Sequence, residues 1–232
     1  MNPLEIIYQD EYLVAINKPH DLLVHQSPIA RNAEEFAIQV LRDQINQKVY
    51  PVHRLDRKTS GVLLFALDKE TNRNLVEQFT NKSTEKKYWA IVRGFCADEL
   101  TIDYALHRDD GVLQDAVTKI KTLEKAEIDL PHGKHATSRY SLIEATPLTG
   151  RMHQIRKHMA HILNPIIGDR PHGCNKQNKL WLDKFGMKTM LLHAHSLTFQ
   201  HPHTQQSITL TAQPSQVFLD VYKMLGFKTL DL

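Results

Sequence analysis

The sequence predicts an α+β fold on a largely antiparallel sheet, from two observations. Ile6-Ile7-Tyr8 and Leu13-Val14-Ala15-Ile16 flank the polar Gln9-Asp10-Glu11 and read as a hairpin close to the start. Later strand-like runs are mixed with isolated amphipathic helices and do not alternate with them as a doubly wound parallel sheet requires. Taken in order, residues 32–47 carry Ala33, Phe36, Ala37, Val40 and Leu41 at helical spacing. Residues 61–67 read as a short buried strand. Asp68 then caps a helix with Leu75, Val76 and Phe79 on its inner face. Residues 88–92 form the next strand, closed by Gly94. The polar stretch 98–134, with Asp109-Asp110-Gly111, reads as a crossing from one lobe to the other. A strand at 139–145 is followed by a turn at Pro147 and Gly150, and a helix over 151–163 stops before Pro165. Strands at 190–193, 197–200 and 208–211 and an amphipathic helix at 215–225 complete the chain. There is no internal repeat and no low-complexity stretch.

At 232 residues, 41% apolar and 24% charged, the chain can bury a sizeable core as one large domain or two packed lobes. No apolar run reaches the ~20 residues that span a bilayer. Met1-Asn2-Pro3-Leu4-Glu5 lacks the basic and apolar regions of a secretory signal. Cys96 and Cys174 are too few for a disulfide framework, and together these features point to the cytoplasm. The net charge of +3 permits a polyanionic partner without demanding one. Basic residues gather at 54–58, 82–87, 151–161 and 170–179, and such stretches either follow a phosphate backbone or are solvated faces.

The densest polar cluster is His53-Arg54-Leu55-Asp56-Arg57-Lys58-Thr59-Ser60-Gly61. It precedes a strand and reads as a loop on a rigid frame. One carboxylate among three cations is favoured in its ionised form, which suits a nucleophile or base; the alternative is an Asp that caps the Thr59-Ser60-Gly61 turn. A second cluster runs Thr149-Gly150-Arg151-Met152-His153-Gln154-Ile155-Arg156-Lys157-His158. On a helical wheel Met152, Ile155, Met159 and Ile162 form the buried stripe, with Arg156 at its edge. A guanidinium there either meets a partly buried carboxylate, Asp56 being the candidate, or covers apolar surface with its stem. In the third cluster, Lys86-Lys87-Tyr88-Trp89-Ala90-Ile91-Val92-Arg93-Gly94, Tyr88 and Trp89 face opposite ways if extended. One of them can then stack an unpaired RNA base while the other packs in the core.

Rival signals fall away. Lys58-Thr59-Ser60-Gly61 and Ser83-Thr84-Glu85-Lys86 share residue types with serine acyl-enzyme motifs, but in reversed order and without Ser-Asp-Asn. The 14 His residues, His158 and His161 on one helix face included, form no His-Glu-x-x-His, and no paired Cys supports zinc. No metal is expected. Without Gly-x-Gly-x-x-Gly or a Walker loop, nothing asks for a nucleotide cofactor.

Further motifs occur in a fixed order: Asn17-Lys18-Pro19 with Leu23-Val24-His25, then Pro165-Ile166-Ile167-Gly168-Asp169 with His172-Gly173, then Leu192-His193-Ala194 with His201-Pro202. With the three clusters, they make residues 4–211 resemble the RluA-type pseudouridine synthases. The resemblance implies a mixed, mainly antiparallel sheet in two lobes with a central catalytic cleft. It implies a single catalytic domain over 1–232 without an S4-like N-terminal extension, no cofactor, RNA as partner and no protein partner. By position, Asp56 is the catalytic aspartate, Arg156 the arginine that pairs with it, and Tyr88 the ring that stacks on the target uracil. Arg54 fills the space left by the extruded nucleotide, and Arg57, Lys58, Lys86, Arg151, His153 and Lys157 complete the expected RNA contacts. The start at Glu5-Ile6-Ile7-Tyr8, Thr137-Ser138-Arg139-Tyr140 and the insert Asn175-Lys176-Gln177-Asn178 point to the branch that modifies uridine 65 of tRNA. Ribosomal RNA is the alternative substrate, and a non-catalytic RNA-binding or folding module is the alternative from another class. Two positions depart from the family pattern. Asp21 stands where Gly is usual, and Gln114-Asp115 stands where a basic residue is usual.

Overall fold

The computed structural model describes residues 3–25 and 35–230. The chain divides into two units, Met1–Lys86 with Ala194–Pro214 (unit 1) and Lys87–His193 with Ser215–Leu232 (unit 2). The predicted hairpin forms from β1 (Glu5–Gln9) and β2 (Leu13–Lys18), paired antiparallel. Asp10 closes its turn by accepting from the amides of Tyr12 and Leu13 at 2.8 and 2.9 Å. Helix α1 (Ala37–Ile45) is shorter than its periodicity suggested, and residues 32–34 of that prediction lie outside the described residues. β3 (Tyr50–Pro51) and β2 both pair antiparallel with the fully buried β4 (Ser60–Ala66). Helix α2 (Lys69–Thr80) starts where predicted, with Asp68 Oδ1 accepting from the amides of Glu70 and Thr71. Leu75 is fully buried and Phe79 packs beside it, but Val76 is 38% exposed and leaves the predicted inner face.

Unit 2 is built on β5 (Glu85–Arg93), which enters it at Lys87, β6 (Glu99–Asp103), the short hairpin β7 (Leu106–His107) and β8 (Leu113–Gln114), β9 (Val117–Ile128) and β10 (Ser138–Pro147). β10 pairs antiparallel with both β5 and β9, and β9 with β6. The stretch 98–134 therefore does not cross between units. It folds wholly within unit 2, because Thr118 and Ile120 of β9 point inward between outward Lys119 and Lys121. Helix α3 (Gln154–His161) is followed by α4 (Asn175–Phe185), a helix the sequence reading did not foresee. β11 (Leu192–Gln200) is one strand where two were expected, and from Ala194 onward it belongs to unit 1. There it pairs antiparallel with β12 (Ser207–Thr211). The last helix, α5 (Gln216–Met224), is capped by the Ser215 hydroxyl and returns to unit 2. No helix among the described residues is long and apolar enough to cross a membrane.

The sheet of unit 2 is covered on both faces, which explains the unbroken apolar run Ala90-Ile91-Val92. Trp89 and Ile91 pack with Tyr140, Leu142, Trp181 of α4 and Phe218, Val221 and Tyr222 of α5. Ala90 and Val92 lie in a second cluster with Ile143, Ala145 and the α3 residues Ile155 and Met159. The core of unit 1 gathers Leu13, Ala15, Val62, Leu64, Leu75, Leu197 and Phe199.

Candidate active site

The loop that carries Asp56 leaves the sheet of unit 1 in a defined way. Past β3, the Val52 amide still donates to Leu64 O at 3.2 Å. One residue later the chain turns away, and the His53 ring takes over: its Nε2 accepts from the Leu64 amide at 3.1 Å. That bond assigns the ring proton to Nδ1. Phe79 of α2 stacks on the ring at 4.9 Å. Burial, with the charge of Lys86 second, pushes the imidazole down to about 4, so it stays neutral in this role. Leu55 is buried, Asp56 half-buried, and the amide of Thr59 donates to Asp56 O at 3.0 Å to close a four-residue turn. The turn Asp56 opens is 56–59, not the Thr59-Ser60-Gly61 turn it was weighed as capping, since Ser60 and Gly61 already belong to β4.

Lys18, at the end of β2, fastens this turn from below. Its side chain is fully buried, and Nζ donates to the carbonyls of Pro19 and Leu22 at 2.8 Å each and of Arg57 at 3.1 Å. Burial pushes the ammonium down to about 7, with Asp56 and Asp21 acting in the opposite direction. Arg57 turns outward, with Nε 2.9 Å from Asp21 Oδ1. Asp21 has φ +71°, the left-handed region that glycine adopts without strain. The departure from the family's glycine therefore keeps the glycine backbone and adds an ion pair. At the loop's far end Gly61 has φ +111°, and a Cβ there would overlap the carbonyl of Ala194. Only glycine fits between the loop and β11.

In unit 2, Tyr88 and Trp89 diverge as an extended strand demands. Trp89 is core, whereas Tyr88 is half-buried against the cluster that contains Ile155 and Met159 of α3. Arg156 lies on the same helix, so Tyr88 and Arg156 belong to one side of this sheet. α3 begins later than expected: His153 adopts a left-handed conformation, φ +56°, as its N-cap, and Arg151 and Met152 precede the helix. Met152 is accordingly 39% exposed and is not part of the buried stripe. Gln154 ties this start down, accepting from Thr149 Oγ1 at 2.6 Å and the Arg151 amide at 3.0 Å while donating to Val117 O and Thr118 Oγ1.

Arg156 is buried and forks onto Asp169, which stands outside the expected set. Nε and Nη2 donate to Oδ2 and Oδ1, each at 2.8 Å, with side-chain exposures of 6% and 1%. The only sequence signal for this partner was the Gly168-Asp169 motif. Lys18 was legible in the same limited way, within Asn17-Lys18-Pro19.

The expected RNA contacts divide by their surroundings. Arg54 is exposed and Lys58 half-buried. Arg57 meets Asp21, Arg151 Nε donates to Asp115 O at 2.9 Å, and Lys157 Nζ donates to His107 O at 3.1 Å. Lys86 Nζ lies 5.9 Å over the Phe79 ring, and burial lowers its pKa. His153 Nδ1 and His172 Nε2 are 2.9 Å apart. His158 is buried between Thr118 Oγ1 and Tyr104 O, and His161 stacks on the Tyr104 ring at 3.7 Å. Packing and hydrogen bonding thus account for the two histidines weighed as a metal pair.

The family model for RNA pseudouridylate synthase matches residues 12–161. The tRNA pseudouridine synthase C of Vibrio cholerae is 44% identical over 236 residues, covering 97% of both chains. That of Pasteurella multocida is 48% identical over 235 residues, again covering 97% of both. The solved structure of human RNA pseudouridylate synthase domain containing 4 superposes with a TM-score of 0.74 at 25% identity, over 96% of this chain and 93% of that one. The fold, the ordered motifs and these likenesses agree: the chain belongs to the RNA pseudouridylate synthase family, isomerases that turn uridine in RNA into pseudouridine.

Proposed function

We propose that the chain isomerises a uridine of tRNA, at position 65, with Asp56 as the reacting carboxylate. The observation that carries this is the fixed turn at residues 56–59, held by Lys18 and by the close approach of Gly61 to Ala194, which presents one carboxylate on a rigid frame. The relatives named for tRNA support the choice of RNA. The reaction breaks the bond from N1 of uracil to the sugar, turns the base and joins C5 to the same sugar carbon. The proton on C5 is lost and N1 gains one. A glycosidase needs two carboxylates because water enters and a leaving group departs. Here nothing departs and no water is wanted, so one carboxylate suffices.

The base must first leave the helix, at an unstacking cost of a few kcal/mol. In this reading Arg54, exposed at the loop, fills the gap, and Tyr88 stacks on the extruded uracil. Arg156 is in this reading the arginine that pairs with the catalytic carboxylate. Arg57, Lys58, Lys86, Arg151, His153 and Lys157 line the RNA path. Both units make up one catalytic domain, which needs no cofactor and works in the cytoplasm, where tRNA is found. The test is to map pseudouridine in RNA from a strain lacking this chain. Loss at position 65 of tRNA, restored by re-expression, is expected; loss at a ribosomal site with tRNA unchanged would overturn the choice of substrate.

A further inference from the structure

We infer that Asp169 is a positioning residue for catalysis: it fixes the plane of the Arg156 guanidinium, and α4 holds Asp169 in place through Asn178. The inference rests on the reading that Arg156 acts in the reaction. A lone bidentate pair could be mere structure, so what surrounds it decides. Both side chains are almost wholly buried, and the fork engages Nε and Nη2, one edge of the guanidinium. Two parallel bonds fix both the position and the rotation of that plane, which one bond would leave free to swing.

Asp169 is itself fixed at its carboxylate and at its main chain. The His172 amide donates to its Oδ1 at 3.3 Å. Asn178 Nδ2 donates to its main-chain carbonyl at 2.7 Å, while Asn178 Oδ1 accepts from the preceding amide, Gly168 N, at 2.9 Å. One side chain on α4 thereby bonds the peptide group before Gly168 and the one after Asp169, gripping the two residues from both ends. The chain path leaves no slack. A Cβ at Gly168, φ +81°, would overlap Thr189 O, and one at Gly173 would overlap Asp169 O. The rigid line therefore runs from α4 through Asn178 and the 168–169 backbone to the carboxylate, and ends at Arg156. This gives a task to the segment from Asn175, which the sequence shows only as an insert. Catalytic geometry tolerates errors of a fraction of an ångström, so a support of this kind acts on turnover more than on substrate binding.

The test compares Asp169→Asn and Asn178→Ala with the unaltered chain, using steady-state isomerisation of tRNA and thermal unfolding. Asp169→Asn keeps the shape and one acceptor but removes the charge. The expected result is a kcat lowered about 10- to 100-fold with KM for tRNA within about twofold. Asn178→Ala is expected to lower kcat by about 3- to 10-fold, and the double variant to be no slower than Asp169→Asn alone, since both act through one carboxylate. Unchanged kcat per folded molecule, with only the melting temperature lowered, would overturn the inference. So would a raised KM at unchanged kcat. If Asp169→Asn does not fold, the kcat of Asn178→Ala decides in the same terms. Asp56→Ala run alongside separates the two readings: its retained turnover would sink the catalytic assignment, whereas an inactive Asp56→Ala beside a fully active Asp169→Asn would sink this inference alone.

Discussion

In unit 1 the Asp56 turn is held by its main chain: Lys18 takes the Arg57 carbonyl, Thr59 takes that of Asp56, and Gly61 lies against Ala194. In unit 2 Arg156 is held by its head group, forked onto a buried carboxylate. The difference follows from where each residue sits. A turn has backbone carbonyls to offer as handles, whereas a helix has already committed its own to the i−4 ladder, leaving only side chains to position a side chain. The first clamp should fail through added volume or lost donors, the second through lost charge.

The largest expected effect is Gly61→Ala, which combines a forbidden φ with overlap on Ala194. It should cost about 3–4 kcal/mol or prevent folding. Gly186→Ala, at φ +64° with open space around it, should cost about 1 kcal/mol by the same urea titration. Equal losses would show that backbone strain alone, not the approach to β11, governs Gly61.

Lys18→Met comes next, at about 2–3 kcal/mol, because three inward carbonyls lose their donor. Turnover should fall along with the denaturation midpoint, since the Arg57 carbonyl is part of the turn that carries Asp56. A stable variant with full turnover would show that the turn does not depend on this donor.

His53 supplies a pH test. Its folded value of about 4 lies below the ordinary 6.5, so between these values the unfolded chain binds the extra proton. The stability it contributes is present above pH 6.5 and is lost as pH falls toward 4, by up to about 3 kcal/mol. Denaturation at pH 7.5 and 4.5 should show His53→Gln losing less on acidification than the unaltered chain. Parallel losses would mean that the ring is not held neutral.

The smallest effect is expected from Asp21→Gly. It relieves the left-handed strain and removes an exposed ion pair, so stability should shift by less than about 1 kcal/mol. A larger loss, measured by the same titration, would place the Asp21–Arg57 pair among the main supports of the turn.

Local patterns made much of this legible. The hairpin, the Asp68 cap, the opposed Tyr88 and Trp89 and the Asp56 loop all depend on residues within a few positions of each other. The start of α3 was misjudged because the left-handed His153 breaks the helical phase that Met152 otherwise fits. β9 was hidden because Lys and Glu fill its outward positions while its inward side alternates modestly. α4 was hidden because its first turn, Asn175-Lys176-Gln177-Asn178, is polar and Trp181 is its one buried apolar residue. Asp169 could not be assigned to Arg156 from helical spacing. What returns the chain to it is the bridge of Ile166 to Val92 and the Gly168 turn, both tertiary. Lys18 reads as an ordinary strand-end lysine until its three carbonyls are in place.

The central claim is that Asp56 carries the chemistry, and tritium release from tRNA labelled at C5 of uracil tests it most directly. The unaltered chain should release tritium with turnover. Asp56→Asn, folded to the same denaturation midpoint within about 1 kcal/mol, should release it on the order of 1,000-fold more slowly or not at all. Release by Asp56→Asn at the unaltered rate would contradict the account.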